Sequence, residues 1–288
     1  MQSREFYLRT GPFLTHLTTS SPRLLEALPA LYDARCFVER PEFCDFHVSV
    51  GSPALRRWIR PKIEFLFEGA PIFTPSPIDH AVPVFESGLN WAISTTINQY
   101  LIIHAAAVER GGRAMIIPGL SGSGKSTLCA GLAFRGWRLL SDELTLIAPA
   151  TIELLALARP INLKNESIEV VRRLSPGIVF SRPAEDTLKG TVSLAKPPED
   201  SIARMDERAR PRWIVFPTFE KGSATKLSAR PRAETFVELA ANAINYGVLG
   251  DVGFNTLAEV VTQSRCFELA YGDLEDAVRL LTELSESA

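Results

Sequence analysis

The glycine-rich stretch at residues 119–126 constrains this chain more than any other feature of the sequence. The residues Gly119-Leu120-Ser121-Gly122-Ser123-Gly124-Lys125-Ser126 match the pattern G-x-x-x-x-G-K-[ST]. Glycines at these spacings let successive backbone N–H groups turn inward around phosphate oxygens. The preceding "RAMIIPG" predicts a buried strand, and the following "STLCAGLAFRG" predicts a helix that ends near Gly136. This order predicts an α/β domain with a nucleotide phosphate site.

The loop assigns a role to each of its polar residues. Lys125 is expected to reach the β- and γ-phosphates, and the Ser126 hydroxyl is expected to hold Mg²⁺. The N-terminus of the following helix adds a positive dipole end. The expected ligands are ATP and Mg²⁺, contacted by Gly119, Leu120, Ser121, Gly122, Ser123, Gly124, Lys125, Ser126 and Thr127. The loop alone does not fix a reaction, because kinases, transport ATPases and signalling switches all use it.

An acidic pair follows the loop closely. Asp142 lies 16 residues after Ser126, a spacing that one helix and a short turn consume. "WRLLSDE" is therefore predicted to be the next strand, ending at the same sheet edge as the loop. One carboxylate there can take a proton from an attacking hydroxyl, and the other can orient Mg²⁺. An acidic pair can also simply cap a turn; the position favours catalysis for Asp142 and leaves both readings open for Glu143.

The same spacing argues against an ABC transporter ATPase. That class places far more chain, including an LSGGQ-like signature, between its nucleotide loop and its acidic strand. No such signature occurs in this sequence.

Three stretches together resemble the HPr kinase/phosphorylase superfamily: "IIHAAAVERGGRAMIIPG", the glycine loop, and "RGWRLLSDE". "RPINLKNES", "WIVFP" and "NAINYGVLG" are most similar to the subgroup called HprK-related kinase A. The resemblance implies that Asp142 is the general base for a serine-type hydroxyl. It also implies that His104 lies near the phosphates and that Glu143 is a catalytic and metal-binding residue. Without the resemblance, His104 is a packed histidine at a strand end.

The family's Gly-rich signature after the carboxylates has no counterpart here, and "LARPINLKN" stands in its place. That signature is tied to the phosphorylase activity of the family, so the resemblance implies a kinase only.

The expected fold is a P-loop domain of the HPr kinase/PEP carboxykinase type over residues 89–288. A small strand-rich α+β unit over residues 1–88 is expected to precede it. Residues 70–85 contain four prolines and predict a loop, and a helix is expected through residues 86–109, with its end open between helix and strand. Residues 175–212 are charged and lack periodicity, which predicts a lid or substrate loop.

Three further polar residues stand near the expected site. Asn165 is interpreted as a helix N-cap, with Glu166 in the first turn. Lys164 is open between a phosphate contact and a structural role. The charges of the 175–212 stretch are interpreted by default as a solvated surface; if the stretch is a lid, Lys189 is the favoured cation to stabilise the transferring phosphoryl group.

The composition of the chain limits the classes of partner that we expect it to bind. The net charge of −2 over 288 residues gives no basic field for nucleic acid or an anionic membrane. The N-terminus lacks the features of a signal peptide, and the four cysteines show no metal-binding or disulfide spacing. These features predict a cytoplasmic protein with reduced thiols, and a homo-oligomer is left open.

The favoured function is an ATP- and Mg²⁺-dependent kinase that transfers the γ-phosphoryl to a hydroxyl, with serine on a protein or peptide preferred. Two alternatives remain: a kinase for a small-molecule hydroxyl, and a nucleotide-binding regulator without phosphotransfer.

Overall fold

The computed structural model describes residues 3–53, 62–120 and 122–287. Ser121, which the sequence assigns to the phosphate loop, lies outside the described residues. The strands are β1 (Arg4–Thr10), β2 (Phe13–Thr19), β3 (Phe46–Gly51), β4 (Lys62–Phe67), β5 (Ala70–Pro71), β6 (Ser76–Pro77), β7 (Leu101–Arg110), β8 (Arg113–Pro118), β9 (Arg138–Ser141), β10 (Leu144–Ala148), β11 (Glu153–Leu155), β12 (Ile161–Lys164), β13 (Ala184–Thr187), β14 (Gly190–Ala195), β15 (Arg210–Phe219), β16 (Lys226–Ala229) and β17 (Arg265–Tyr271). The helices are α1 (Pro22–Leu31), α2 (Ala81–Thr96), α3 (Lys125–Ala133), α4 (Glu166–Arg172), α5 (Glu199–Ala203), α6 (Arg232–Asn242), α7 (Tyr246–Leu249), α8 (Asp251–Gln263) and α9 (Leu274–Glu286). The fold is mixed α/β with several sheets.

The first sheet has the order β1-β2-β3-β4-β5, with β6 also pairing with β4. Strands β1 and β2 form an antiparallel hairpin, β2 and β3 are parallel, and β3 and β4 are antiparallel. Alternate residues of β2 point into the core, where Phe13 and Leu17 are buried. Helix α2 packs on this sheet and buries Phe85 and Leu89 in the same core.

Helix α2 corrects the expectations for residues 70–109. It begins at Ala81, inside the predicted loop, and Pro83 lies in its first turn. Proline is tolerated there because the first N–H groups of a helix have no intrahelical acceptor. The helix ends at Thr96, and Leu101 begins β7, a strand buried along most of its length. A strand buried on both faces has no period-2 pattern, so its sequence is hard to tell from that of a buried helix.

The central sheet has the order β11-β10-β7-β8-β15-β17-β16, with β9 pairing with β7. Strands β8, β15 and β17 are parallel to one another, whereas β7 is antiparallel to β8. On one face, α3 and α9 bury Leu128 and Leu281. On the other face, α6 and α8 bury Leu239 and Leu257. Residues 243–245 separate α6 from α7.

The third sheet, of order β12-β14-β13, corrects the expectation for residues 175–212. That stretch contains β13, β14 and α5 rather than irregular chain. The elements are short, and β13 carries exposed residues on both faces, so the sequence shows little periodicity. Its role as a substrate loop remains a prediction, as does the division of the chain into residues 1–88 and 89–288; residue 88 falls within α2.

Within the described ranges, no helix combines the length and apolar character needed to cross a membrane.

Candidate functional site

The glycine loop joins the end of β8 to the first residue of α3. Gly122 and Gly124 have φ angles of 91° and 88°, in the left-handed region that favours glycine. Gly124 is the N-cap of α3 and provides no side-chain cap. The first N–H groups of α3 therefore lack intrahelical acceptors, which is the arrangement that binds anions at a helix N-terminus.

Two neighbouring strands hold the loop in place. The Tyr271 hydroxyl, at the end of β17, donates to the Gly124 carbonyl at 3.1 Å. The backbone N–H of Phe219, at the end of β15, donates to the Ser123 carbonyl at 3.1 Å. A Cβ atom on Gly124 would lie 2.2 Å from the Tyr271 hydroxyl oxygen, so the close approach requires glycine.

Lys125 is buried at the start of α3, with 8% of its surface exposed. Its Nζ lies 3.2 Å from Nε2 of His104 and 3.5 Å from the Gly119 carbonyl oxygen. Burial lowers the pKa of Lys125, and the nearby charges of Asp142 and Glu143 oppose that shift.

His104 stands at an exposed position of β7, and its register partner is Leu144 of β10. Partial burial, followed by the charge of Lys125, lowers the pKa of His104. A neutral imidazole can accept a hydrogen bond from the Lys125 ammonium. The structure thus brings together two residues that the sequence assigned to the phosphates.

The acidic pair interrupts the pairing of one edge of β7. Strand β9 pairs Ser141 with Ala107, and β10 resumes by pairing Leu144 with His104. Across β7, Pro118 at the end of β8 pairs with Ala105. The carboxylates and the glycine loop therefore lie at the same end of the sheet, separated by β7, as the spacing in the sequence predicts.

Asp142 is buried, with 6% of its surface exposed. Its Oδ2 accepts the backbone N–H of Asn162 at 3.0 Å, whereas Oδ1 has no partner among the described residues. Burial, followed by the charge of Glu143, raises the pKa of Asp142 to about 6. The Asn162 N–H, the Ser126 hydroxyl and Lys125 oppose this shift, in keeping with their closeness to the carboxylate.

Glu143 turns toward the first part of the chain. Its Oε2 accepts from Nδ2 of Asn90 on α2, and Oδ1 of the same asparagine accepts from Nη2 of Arg159. Nη1 of Arg159 lies 3.5 Å from Oε2 of Glu86, and Oε1 of the same glutamate accepts from the Tyr32 hydroxyl. Burial raises the pKa of Glu86, and the charge of Arg159 opposes it.

This polar chain was not found from the sequence. Apart from Glu143, its members come from three distant segments, and none of them belongs to a motif. The arginine in "LARPINLKN" was the one available signal, because an isolated arginine in an apolar run is rarely buried without a carboxylate partner.

A cavity of about 20 Å³ is lined by members of this polar chain, among them Asn90 and Arg159, and by Asp142 and Asn162. Such a volume holds about one water molecule or one hydroxyl group. Four buried atoms of its lining residues lack hydrogen-bond partners among the described residues: Oδ1 of Asp142, Oδ1 of Asn162, and Nε and Nη1 of Arg159. One oxygen-sized group beside Asp142 would therefore find both donors and acceptors.

The residues present fit a magnesium nucleotide. The unpaired N–H groups of α3 and the Lys125 ammonium suit phosphate oxygens, and the unpartnered Oδ1 of Asp142 suits a hydroxyl donor. Ser126, half-buried in the first turn of α3, and Glu143 are the residues that could hold Mg²⁺. The described residues contain no group of three or more His, Cys, Asp or Glu side chains that could hold a metal ion. Leu120 projects its side chain into solvent, so any contact it makes with phosphate is through its backbone.

Comparisons with known proteins add little. No family model matches the sequence, and no curated protein matches it. Among solved structures, the fold has a weak likeness to the Hpr(Ser) kinase/phosphatase from Coxiella burnetii. The TM-score is 0.27 and the sequence identity 11%, over 65% of this chain and 99% of that one. A likeness of this size carries no argument, so the function is argued from the site itself.

Proposed function

We propose that this protein is a Mg²⁺-dependent ATP kinase that transfers the γ-phosphoryl group to a hydroxyl, preferably of serine on a protein or peptide. The observation that carries the proposal is the state of Asp142. It is a buried carboxylate with one free oxygen and a raised pKa, held beside the lysine of a glycine loop. Asp273, which caps α9, is exposed and accepts from the N–H of Asp276 three residues later, whereas Asp142 is buried and accepts from the distant Asn162.

The nucleotide would be held by the glycine loop. The backbone N–H groups of the loop and of the first turn of α3 would donate to phosphate oxygens, and Lys125 would neutralise the β- and γ-phosphates. His104 accepts from Lys125 and so orients its ammonium. Mg²⁺, when bound through Ser126 and Glu143, would supply charge neutralisation for the phosphates.

Asp142 would act on the acceptor. The acceptor hydroxyl would occupy the cavity and give its proton to Oδ1 as its oxygen bonds to the γ-phosphorus. The bond between that phosphorus and the β,γ-bridging oxygen breaks, and ADP leaves with the electron pair. A carboxylate with a pKa of about 6 is ionised at neutral pH and is a stronger base than an ordinary aspartate.

Phosphoryl transfer from γ-labelled ATP tests the proposal. Purified wild-type protein, Asp142→Asn and Lys125→Ala would each be added to a lysate of the native host. We expect a product labelled only by the wild type, and its size separates a peptide or protein acceptor from a small molecule. If no product is labelled although the wild type binds ATP through Lys125, the protein is a nucleotide-binding regulator instead.

A further inference from the structure

The first observation concerns the polar face of β12. Ile161 and Leu163 are fully buried, so Asn162 and Lys164 lie on the opposite face of the strand. The backbone N–H of Asn162 is bonded to the proposed base, Asp142. An acceptor that presents its hydroxyl to Asp142 therefore also meets Lys164, the next outward side chain of β12.

A second lysine is held beside the first. Lys189 lies in the turn between β13 and β14, and Asn165 fastens that turn to the end of β12. Asn165 accepts from the Thr191 N–H at 3.1 Å, and its Nδ2 donates to the Lys189 carbonyl at 3.4 Å. Its own N–H donates to the Thr191 carbonyl at 2.9 Å.

These contacts correct the sequence interpretation of Asn165. It is the N-cap residue of α4, but its side chain makes no capping hydrogen bond. It also has a φ of 51°, a region that non-glycine residues enter at a cost. The side chain instead fixes the position of Lys189 relative to Lys164.

The Asn165 contacts place the backbone of Lys189 beside that of Lys164, whose side chain is half-buried whereas that of Lys189 is exposed. Burial, followed by the charge of Lys189, lowers the pKa of Lys164, while Glu143 and Asp142 oppose the shift. Among the described residues, neither lysine forms an ion pair with a carboxylate within 4 Å. Two neighbouring cations repel each other, and an anion placed between them removes the repulsion.

We infer that the acceptor carries an anionic group, a carboxylate or a phosphate, within one side-chain length of its hydroxyl, and that Lys164 and Lys189 bind this group. The inference rests on the proposed function, because it places the acceptor on the β12 side of Asp142. The nucleotide phosphates would be neutralised by Lys125, which pairs with His104 of β7.

Calorimetric titration with two probes tests the inference. Protein saturated with Mg²⁺ and a non-hydrolysable ATP analogue, which fills the loop, is titrated with inorganic phosphate and, separately, with succinate. We expect at least one probe to bind, and its affinity to fall at least about 10-fold in Lys164→Met and in Lys189→Met. The probe that binds more tightly shows whether the anionic group of the acceptor is a phosphate or a carboxylate. Methionine keeps the apolar stem of the half-buried Lys164, so the variants should fold.

Lys196→Met is the matched control, because Lys196 follows the other end of β14 and is also half-buried. Probe binding unchanged by both substitutions, or no probe binding in the wild type, overturns the inference. A loss of about 10-fold or more in the affinity of Lys164→Met or Lys189→Met for the ATP analogue also overturns the inference, because the lysines would then bind the nucleotide. If the analogue does not bind the wild type at all, the proposed function fails. The same titration of nucleotide-free Lys125→Ala protein then still measures anion binding by the lysine pair.

Discussion

The backbone N–H of Asn162 donates a 3.0 Å hydrogen bond to Oδ2 of Asp142. This contact joins the first residues of β12 to the end of β9 and fixes the orientation of the carboxylate. Oδ1 has no partner among the described residues, and Asp142 lines a cavity that takes a single oxygen-sized group. A buried carboxylate held in this way costs folding free energy, which is expected where function rather than stability determines the residue.

The stability cost of Asp142 should depend on pH. The pKa of its carboxyl is raised from 3.8 to about 6 by folding. Below pH 3.8 the carboxyl is neutral in the folded and the unfolded chain, so its burial carries no cost of ionisation. As the pH rises through 6, the buried carboxyl must ionise too, and the free energy of unfolding falls to its lower value. Asp142→Asn, which cannot ionise, should be more stable than the wild type above pH 6, by up to about 3 kcal/mol, and the difference should shrink at lower pH.

Urea unfolding of both proteins at several pH values in metal-free buffer measures this difference. Asp186→Asn is the control, because Asp186 is exposed and has a positive φ that asparagine tolerates. A wild type that is as stable as Asp142→Asn at pH 8 would show that the carboxylate is not strained by burial.

Gly124→Ala should distort the glycine loop. The new Cβ would lie 2.2 Å from the Tyr271 hydroxyl oxygen, and the φ of 88° would strain any non-glycine residue. We expect affinity for ATP to fall at least about 100-fold, because the loop N–H groups can no longer converge. Removing the clashing oxygen with Tyr271→Phe should recover part of that loss in the double variant. Equal losses in the single and double variants would mean that strain alone, and not the clash, disables the loop.

Arg138 should be a structural residue, although it stands in the motif that leads to Asp142. Its guanidinium is buried against Glu109, and its Nη1 donates to the carbonyls of Arg204 and Glu207 at 2.7 and 2.8 Å. Arg138→Met leaves the Glu109 carboxylate without this partner, and we expect a loss of about 3–5 kcal/mol in the free energy of unfolding. Arg110→Met removes an exposed pair with Glu286 and should cost less than about 1 kcal/mol. Comparable losses in the two variants would contradict the structural role.

Asn90 should influence the metal through Glu143. Its amide fixes the Glu143 carboxylate and connects it to Arg159. We expect Asn90→Ala to raise the Mg²⁺ concentration needed for half-maximal transfer by about 10- to 100-fold, with little change at saturating Mg²⁺. Asn242→Ala, in the half-buried part of α6, provides the control. An unchanged Mg²⁺ dependence would remove Glu143 from the metal site.

Local features of the site could be predicted from the sequence. The glycine loop, its flanking strand and helix, and the strand that leads to Asp142 are encoded in short contiguous stretches. The spacing of Asp142 from Ser126 correctly predicted that the carboxylates lie at the loop's end of the sheet.

The support around Asp142 could not be predicted in this way. Asn90 donates to Glu143, and Arg159 in turn donates to Asn90, from segments far apart in the chain, and no periodicity encodes such contacts. The same holds for Asn165, whose sequence context indicates a cap while the structure uses its side chain to hold the Lys189 turn. Tertiary hydrogen bonds decided these positions rather than local propensity.

The affinity for Mg²⁺-ATP of three proteins, measured by calorimetry at pH 7.5, tests the central claim most directly. A general base contributes to transfer and not to nucleotide binding, whereas the loop lysine contributes to binding. Asp142→Asn should bind as tightly as the wild type, or up to about 10-fold more tightly because a buried negative charge near the phosphates is removed. Lys125→Ala should bind at least about 100-fold more weakly. A loss of about 10-fold or more in Asp142→Asn would make Asp142 a ligand of the metal or the phosphates and would contradict its assignment as the base.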